Sequence, residues 1–154
     1  LRCKDYNCRK FIQPQWDGGS LNNRSLLVHA EQGFGDTIQF VRFLPMVQSK
    51  GGRVIFECQQ ALLPLLKNCA GFDEILENVP AREPSVNFDL HVPLLSLPGI
   101  FGTTMDTIPS DVPYITVDSE LLAEWRKRLE HDKFFKIGLV WAGRPSSKCS
   151  NAAC

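Results

Sequence analysis

The stretch from residue 24 to residue 58 constrains the fold of this 154-residue chain more strongly than any other part. It begins with the short apolar run RSLLVHA (24–30) and ends with the apolar run RVIFEC (53–58). Between them, a turn with two glycines leads into apolar residues at helical spacing over 36–50. Continuous apolar runs of this length are typical of parallel strands that are buried on both faces. The stretch therefore predicts a strand, a helix and a second, parallel strand joined by a right-handed crossover.

Pro45 interrupts the helical pattern of this unit. A proline removes one backbone donor and crowds the carbonyl group of the residue four positions earlier. We therefore expect a kink at Pro45 or a helix that restarts there.

The rest of the chain repeats the alternation of strands and helices. The predicted elements are a short helix in ALLPLLKNC (61–69), a third strand in FDEILEN (72–78), a fourth strand in FDLHVPL (88–94), a helix over DSELLAEWRKRLEH (118–131) and a fifth strand in KIGLVWAG (136–143). The irregular stretch from Pro93 to Pro113 is long enough to be functional or to carry small helices of its own. This alternation predicts an α/β fold, Rossmann-like, with a mostly parallel open sheet and helices on both faces.

Composition and charge exclude several classes of protein. The chain has 17 basic and 17 acidic side chains, so nothing in its charge favours a nucleic-acid partner. It contains no secretory signal and no apolar run long enough to span a bilayer, so we expect a cytoplasmic protein with no membrane span. The length fits one domain, which we place at 25–145, with a polar lead-in at 1–24 that packs on it through Trp16 and a divergent tail at 146–154.

The cysteines do not form a metal-binding pattern. Four-ligand zinc sites need two close pairs of ligands, and the C-x4-C spacing at each end of the chain lacks suitable partners. Cys58 ends an apolar run, where a small buried thiol fits. We expect no metal, and free thiols at all six positions, which are Cys3, Cys8, Cys58, Cys69, Cys149 and Cys154.

The glycine turn after the first predicted strand has one interpretation as a nucleotide site. Gly33 and Gly35 can begin the dinucleotide fingerprint G-x-G-x-x-G, with Glu57 near the position of the ribose-binding acid. Ile38 stands where the third glycine is required, and Asp36 would compete with a pyrophosphate for the same helix donors. The hypothesis of a nucleotide-binding oxidoreductase domain therefore rests on a partial match.

Asp36 itself is the basis of two further interpretations. A carboxylate at a helix start, held at the carboxyl end of a strand, can face a ligand crevice and accept a proton from a sugar hydroxyl. An aspartate is equally a preferred N-cap residue, which stabilises a first helical turn by about 0.5 to 2 kcal/mol without any chemistry. The residues alone leave both roles open.

Polar side chains near the strand ends are further candidates. His29 and His91 each end a predicted strand, so we expect them to point into the same crevice, although a histidine at such a position is also a common structural hydrogen-bonding group. Glu31 and Gln32 flank the turn and can hydrogen-bond a polyhydroxylated substrate, or simply lie in solvent.

Six segments, taken in order, give the chain a resemblance to a known family. They are QPQWDG, LLVHAEQGFGDTIQFVRFLP, GGRVIFECQ, FDLHVPLLSLPGIFGTT, IPSDVPYI and IGLVWAG. Over residues 13 to 145 the chain resembles the glycosyltransferase-like part of bacterial tetratricopeptide-repeat proteins, which is similar to the heptosyltransferase family. The resemblance implies half of a GT-B fold, namely the N-terminal, acceptor-side domain of two Rossmann-like domains that face a cleft.

The resemblance also implies roles for individual residues and partners. The Gly35-Asp36 pair matches the family's Gly-Asp pair, which makes Asp36 the general base. The side chains and backbone expected to line the cleft are those of Glu31, Gln32, Gly33, Gly35 and Gln39. The implied partners are a sugar acceptor, a nucleotide-sugar donor bound through a C-terminal domain missing from this chain, and tetratricopeptide repeats upstream, with no cofactor.

Two features depart from the family's pattern. The downstream proline, Pro45, lies nine positions after Asp36, farther than in heptosyltransferases, and the segment from Ser146 onward diverges. We therefore expect a fragment, the acceptor-binding half of a nucleotide-sugar-dependent inverting glycosyltransferase, that is inactive alone. The alternatives are a non-catalytic interaction module of a tetratricopeptide-repeat protein and the oxidoreductase domain.

Overall fold

The computed structural model describes residues 9–31, 33–79 and 82–139. The chain divides after Ser119 into two compact units. None of the described helices is long and apolar enough to cross a membrane.

The first unit contains a sheet of four strands, all parallel. The strands are β1 (Ser25–His29), β2 (Arg53–Cys58), β3 (Glu74–Glu77) and β4 (Leu90–Pro93). Each lies within the range that the apolar runs predict. Together they confirm the predicted α/β, Rossmann-like class with a parallel open sheet.

The strand order is β3-β2-β1-β4, so the side on which successive strands are added to the sheet changes at β1. The chain builds the sheet outward from β1 through β2 to β3, and then returns to place β4 on the other side of β1. The connections that leave β1 and β4 therefore diverge, and in open α/β sheets ligands bind in the crevice at such a switch point. The carboxyl ends of β1 and β4 are thus the expected location of a ligand site.

The helical stretch after β1 is divided by a proline. It consists of α1 (Phe34–Phe40), one 3-10 turn (Val41–Phe43) and α2 (Leu44–Gln48), in which Pro45 is the second residue. The N–H groups of a first helical turn have no partner within the helix, so a proline there sacrifices no hydrogen bond. Of the two outcomes expected at Pro45, a kink or a restarted helix, the structure shows a new helix that begins at Leu44.

Two further short helices begin with the same leucine-proline pair. α3 (Leu63–Leu66) lies between β2 and β3, α4 (Leu97–Ile100) follows β4, and a 3-10 turn precedes each of them. The helix predicted around Pro64 is therefore present. The long stretch after β4 carries a small helix of its own, as its length indicates.

The two faces of the sheet are covered differently. Successive side chains of a strand point to opposite faces, so Leu26 and Val28 lie on the first face and Leu27 lies on the second. The first face belongs to the main core, which includes side chains from α1 to α4. The second face carries a smaller cluster of Leu27, Ile55, Phe88, Phe11, Leu76 and Val86. No helix residue belongs to this smaller cluster, so within the described residues the predicted helical cover is present on one face.

Residues 9–24, called here the N-terminal segment, cross the edge of β4. The Trp16 N–H donates to the His91 carbonyl (2.9 Å), and the His91 N–H donates to the Pro14 carbonyl (3.2 Å), so the segment forms a short parallel bridge with β4. Trp16 is 3% exposed and belongs to the main core, whereas Phe11 packs on the second face. The segment thus contributes apolar side chains to both faces.

The second unit is mainly the helix predicted from its apolar stripe, α5 (Ser119–Leu129). The stripe is partly exposed, at Leu121 (49%), Leu122 (39%), Trp125 (49%) and Leu129 (41%). The described part of the predicted fifth strand, residues 136–139, forms no strand and is exposed, so the prediction is wrong there, while residues 140–143 lie outside the described residues. An apolar pattern becomes a strand only where a neighbouring strand takes up its backbone hydrogen bonds, and no described residue does so here.

Candidate functional site

The turn that follows β1 is fixed by hydrogen bonds at both ends. The Ala30 N–H donates to the Glu57 carbonyl on β2 (2.8 Å), and the Ala30 carbonyl accepts from the side-chain amide of Asn78 (3.1 Å). The Thr37 N–H donates to the Gly33 carbonyl (3.1 Å), which completes the first turn of α1. These bonds hold the start of α1 at the carboxyl end of β1.

A buried threonine anchors α1 to the end of the neighbouring strand. Thr37 is 2% exposed, and its hydroxyl oxygen lies 3.0 Å from Oε1 of Gln59 and 3.3 Å from the Gly33 carbonyl oxygen. Gln59 directly follows β2, so this contact fixes α1 relative to the sheet. Sequence reasoning missed Thr37, and the available signal was its helical spacing from the buried residues Val41 and Leu44.

Asp36 is the third residue of α1 and is half-buried in its first turn. Gly33 occupies the N-cap position and no side chain caps the helix, so the interpretation of Asp36 as the N-cap residue is wrong. Among the described residues, the Asp36 carboxylate has no hydrogen-bond or ion-pair partner. The N-terminal end of a helix favours a negative charge, and a carboxylate without a described partner is available to contact a ligand hydroxyl.

The backbone conformation of the turn does not require its glycines. Gly33 is extended, with φ −67° and ψ 166°, and a Cβ atom there would lie 3.5 Å from Oδ2 of Asp36, an ordinary contact. A Cβ atom at Gly35 would meet nothing within 4 Å. The space beside Gly35 is therefore open, and a ligand can approach the backbone of the first helical turn closely there.

Glu31 joins the two sides of the crevice at the switch point. Its carboxylate oxygen Oε2 accepts a hydrogen bond from the Leu95 N–H (3.3 Å), and Leu95 lies in the 3-10 turn that follows β4. Burial raises the pKa of Glu31, although the bond from Leu95 acts in the opposite direction. One oxygen of Glu31 therefore connects the turn after β1 with the segment after β4.

Gln39 is exposed and lines a cleft of about 450 Å³. The cleft is bounded by Gln39, Phe40, Arg42, Phe43, Pro98, Thr103, Thr104, Met105 and Ile108. Residues three positions apart are neighbours on a helix surface, so Gln39 shares a side of α1 with Asp36. The surface that carries Asp36 thus continues into a largely apolar cleft.

His29 and His91 lie together but not beside Asp36. The centroids of their rings are 5.7 Å apart, and the ring of Phe11 packs against both, at 5.1 Å and 4.6 Å. They lie on the second face, because His29 shares the side of Leu27 and the strand register pairs His91 with Leu27 rather than placing it at the end of β4. The two histidines, which we expected to point into the same crevice, thus lie side by side, but on the opposite face of the sheet from α1.

The second face also contains Glu57, the residue that the nucleotide interpretation required. Glu57 is 1% exposed, pairs with His29 in the strand register, and forms an ion pair with Arg9 of the N-terminal segment. Burial raises the pKa of Glu57, and Arg9 partly offsets this effect. The Glu57 carboxylate is therefore already paired with Arg9, which competes with the ribose that the nucleotide interpretation assigns to it.

Gln32 lies outside the described residues. Among the residues that the structure describes, no group of three or more His, Cys, Asp or Glu side chains could hold a metal ion. Cys58 and Cys69 are buried free thiols, and burial raises the pKa of Cys58 to about 12, while the four other cysteines lie outside the described ranges.

Comparison with known proteins yields one distant relative. The chain is 24% identical over 143 residues to Protein FlbA of Caulobacter vibrioides, an alignment that covers 82% of this chain and 24% of the relative. The chain thus spans about a quarter of the length of this curated relative. No protein-family profile matches the chain. No solved structure matches it.

Proposed function

We propose that this chain is the acceptor-binding half of a nucleotide-sugar-dependent inverting glycosyltransferase, with Asp36 as its general base. The observation that carries the proposal is the position of the Asp36 carboxylate, which is half-buried and without a described partner, in the first turn of the helix that follows β1. The match of Gly35-Asp36 to the Gly-Asp pair of heptosyltransferases supports the same assignment.

In the proposed reaction, an acceptor hydroxyl lies against Asp36. The carboxylate accepts the hydroxyl proton as the acceptor oxygen forms a bond to the anomeric carbon of the donor sugar. The bond from that carbon to the nucleotide diphosphate breaks on the opposite side, so the configuration is inverted. General base catalysis of this kind contributes typically about 10² to 10⁴-fold in rate.

The neighbours of Asp36 are assigned to the acceptor. Gln39 offers an amide to the acceptor from the same side of α1. The open space at Gly35 admits the sugar close to the helix backbone. Glu31 accepts a hydrogen bond from the Leu95 N–H and so connects the segment after β4 to the turn that carries Asp36.

The donor and the wider context complete the proposal. The nucleotide-sugar would be bound, and its diphosphate leaving group stabilised, by a C-terminal Rossmann-like domain, with tetratricopeptide repeats upstream and no cofactor. We place the reaction in the cytoplasm, and we expect this chain alone to be inactive. The finding for Glu57 argues against the oxidoreductase alternative, because the ribose-binding acid of that hypothesis is enclosed by Arg9.

Substitution of Asp36 in the complete protein tests the proposal. Release of UDP, GDP or ADP from the corresponding nucleotide-sugars is measured with an extract of the source cells as acceptor, for the parent protein and for Asp36→Asn. We expect the rate to fall by about 10² to 10⁴-fold. Asp106→Asn is the matched control, because Asp106 is an acidic side chain that is exposed.

Two results would contradict parts of the proposal separately. If the parent releases nucleotide from none of the donors, the interaction module is favoured over the enzyme. If the parent is active and Asp36→Asn retains its rate, the transferase stands and the assignment of the base fails.

A further inference from the structure

The N-terminal segment covers a cluster of ionisable groups on the second face of the sheet. Phe11 packs against the rings of His29 and His91, and Arg9 forms an ion pair with Glu57. His29 is 6% exposed and Glu57 is 1% exposed, although both side chains are ionisable. The segment therefore encloses groups whose charge depends on pH.

Both histidines have a ring nitrogen without a hydrogen bond. Nε2 of His29 and Nδ1 of His91 are buried, and neither has a hydrogen-bond partner among the described residues. A neutral imidazole tolerates this arrangement better than an imidazolium, because a buried charge requires a partner or water. The enclosed cluster is thus built for the neutral form of both rings.

The charges around the histidines oppose their protonation. The groups that face His29 are His91 from β4, Glu57 from β2 and Arg9 from the N-terminal segment; Lys10 of the same segment is exposed. The nearest of the facing carboxylates, that of Glu57, already accepts from Arg9. Protonation of both rings would add two positive charges beside the Arg9 guanidinium, and His29 is almost fully buried there.

We propose that residues 9–15 are an acid-released cover, which leaves the second face of the sheet when His29 and His91 become protonated. Release separates the Arg9 guanidinium from the histidines and gives their rings access to water. It also breaks the two backbone hydrogen bonds that join the segment to β4, from Trp16 N–H to the His91 carbonyl and from His91 N–H to the Pro14 carbonyl. The Leu27, Ile55 and Phe88 cluster then becomes accessible.

The sign of the pH effect follows from the direction of the shifts. Burial, followed by the charges of His91 and Arg9, lowers the pKa of His29 from 6.5 to about 4, and burial lowers the pKa of His91. The covered state therefore binds fewer protons than a released state whose histidines are solvated, and its stability falls as the pH falls below 6.5. For one proton, the ratio of the released to the covered state rises about tenfold for each pH unit below 6.5, and this rise ends near the lowered pKa of the histidine.

Hydrogen exchange of the full chain tests the proposal. Protection factors of the residue 16 and residue 91 amides are measured from pH 7 to about pH 4, with the Ala30 amide, which donates to Glu57 on β2, as the reference for the sheet. We expect the first two to lose protection about tenfold per pH unit relative to Ala30. If the protection factors of the residue 16 and residue 91 amides keep the same ratio to that of Ala30 at every pH, the segment is not released and the proposal fails.

Variants and a direct titration separate local release from other acid effects. H29L/H91L should remove the pH dependence, whereas H131Q should keep it, because His131 is the exposed third histidine. Retention of the pH dependence in H29L/H91L would overturn the proposal. If that variant does not fold, the ring signals of the parent protein decide: His29 must titrate together with the loss of Trp16 protection, and titration at a different pH contradicts the proposal.

Discussion

The two faces of the sheet differ in how accessible their ionisable side chains are. On the first face, Asp36 is half-buried and has no described partner, and Gln39 of the same helix lines an open cleft. On the second face, His29 and Glu57 are packed under the N-terminal segment, and the Glu57 carboxylate is paired with Arg9 of that segment. The difference indicates that an ionisable residue at a strand end is a candidate for chemistry only where the fold leaves it accessible and unpaired.

Loss of Arg9 is expected to cause the largest change in stability of any substitution in this comparison. Arg9→Ala leaves the carboxylate of Glu57 buried without its cation, and breaking a buried ion pair costs about 3–5 kcal/mol. The free energy of unfolding from urea denaturation at pH 7 measures the effect. The double variant R9A/E57L should recover most of the loss, because it leaves no buried charge. A loss below about 1 kcal/mol in Arg9→Ala would show that Glu57 is not enclosed as the structure has it.

Phe11 should have the next largest effect, because it is the apolar part of the cover. Its ring contacts His29, His91 and Phe88. Phe11 is only half-buried, so we expect Phe11→Ala to lower the free energy of unfolding by about 2 kcal/mol, less than a fully buried phenylalanine would. Its neighbour Ile12 is 98% exposed, and Ile12→Ala is the matched control with an expected change within about 0.5 kcal/mol. Equal effects of the two substitutions would mean that the segment does not pack on the second face.

Glu31 should have a smaller effect on the first face. Glu31→Ala removes the acceptor for the Leu95 N–H, and one such hydrogen bond contributes about 0.5–1.5 kcal/mol. Glu31→Gln keeps an acceptor oxygen and should lie between the parent and the alanine variant. Thermal unfolding of both, with the exposed Glu83→Ala as control, measures the difference. If Glu31→Ala is as stable as Glu83→Ala, the link across the crevice contributes nothing.

The sequence was sufficient for the strands of the first unit and for the position of Asp36. The apolar runs are continuous and the glycine turn is short, so the order of strand, turn and helix leaves little freedom. It was insufficient for the histidines, because the face on which a side chain lies depends on strand register. His91 was expected at a strand end, but its pairing with Leu27 puts it within β4 and under Phe11.

The N-terminal segment and the described end of the chain show the same limit. Nothing local in residues 9–16 predicts that Arg9 pairs with Glu57, 48 positions later, since this contact depends on the completed sheet. The stretch 136–139 has a strand pattern but no described partner strand. Local pattern therefore predicted elements, whereas contacts distant in sequence decided which of their side chains became accessible.

Asp36 is expected to have the smallest effect on stability among these residues, and this is what distinguishes it from Glu57. Its carboxylate has no described partner to lose, so Asp36→Asn forfeits mainly the attraction between the negative charge and the helix N-terminus, about 0.3–1 kcal/mol. Urea denaturation of Asp36→Asn, beside Asp106→Asn as the exposed control, measures this difference. A loss above about 2 kcal/mol would indicate that Asp36 is a structural anchor like Glu57. If Asp36 serves a ligand and not the stability of the fold, Asp36→Asn should combine a small loss of stability with the large fall in transfer rate proposed above.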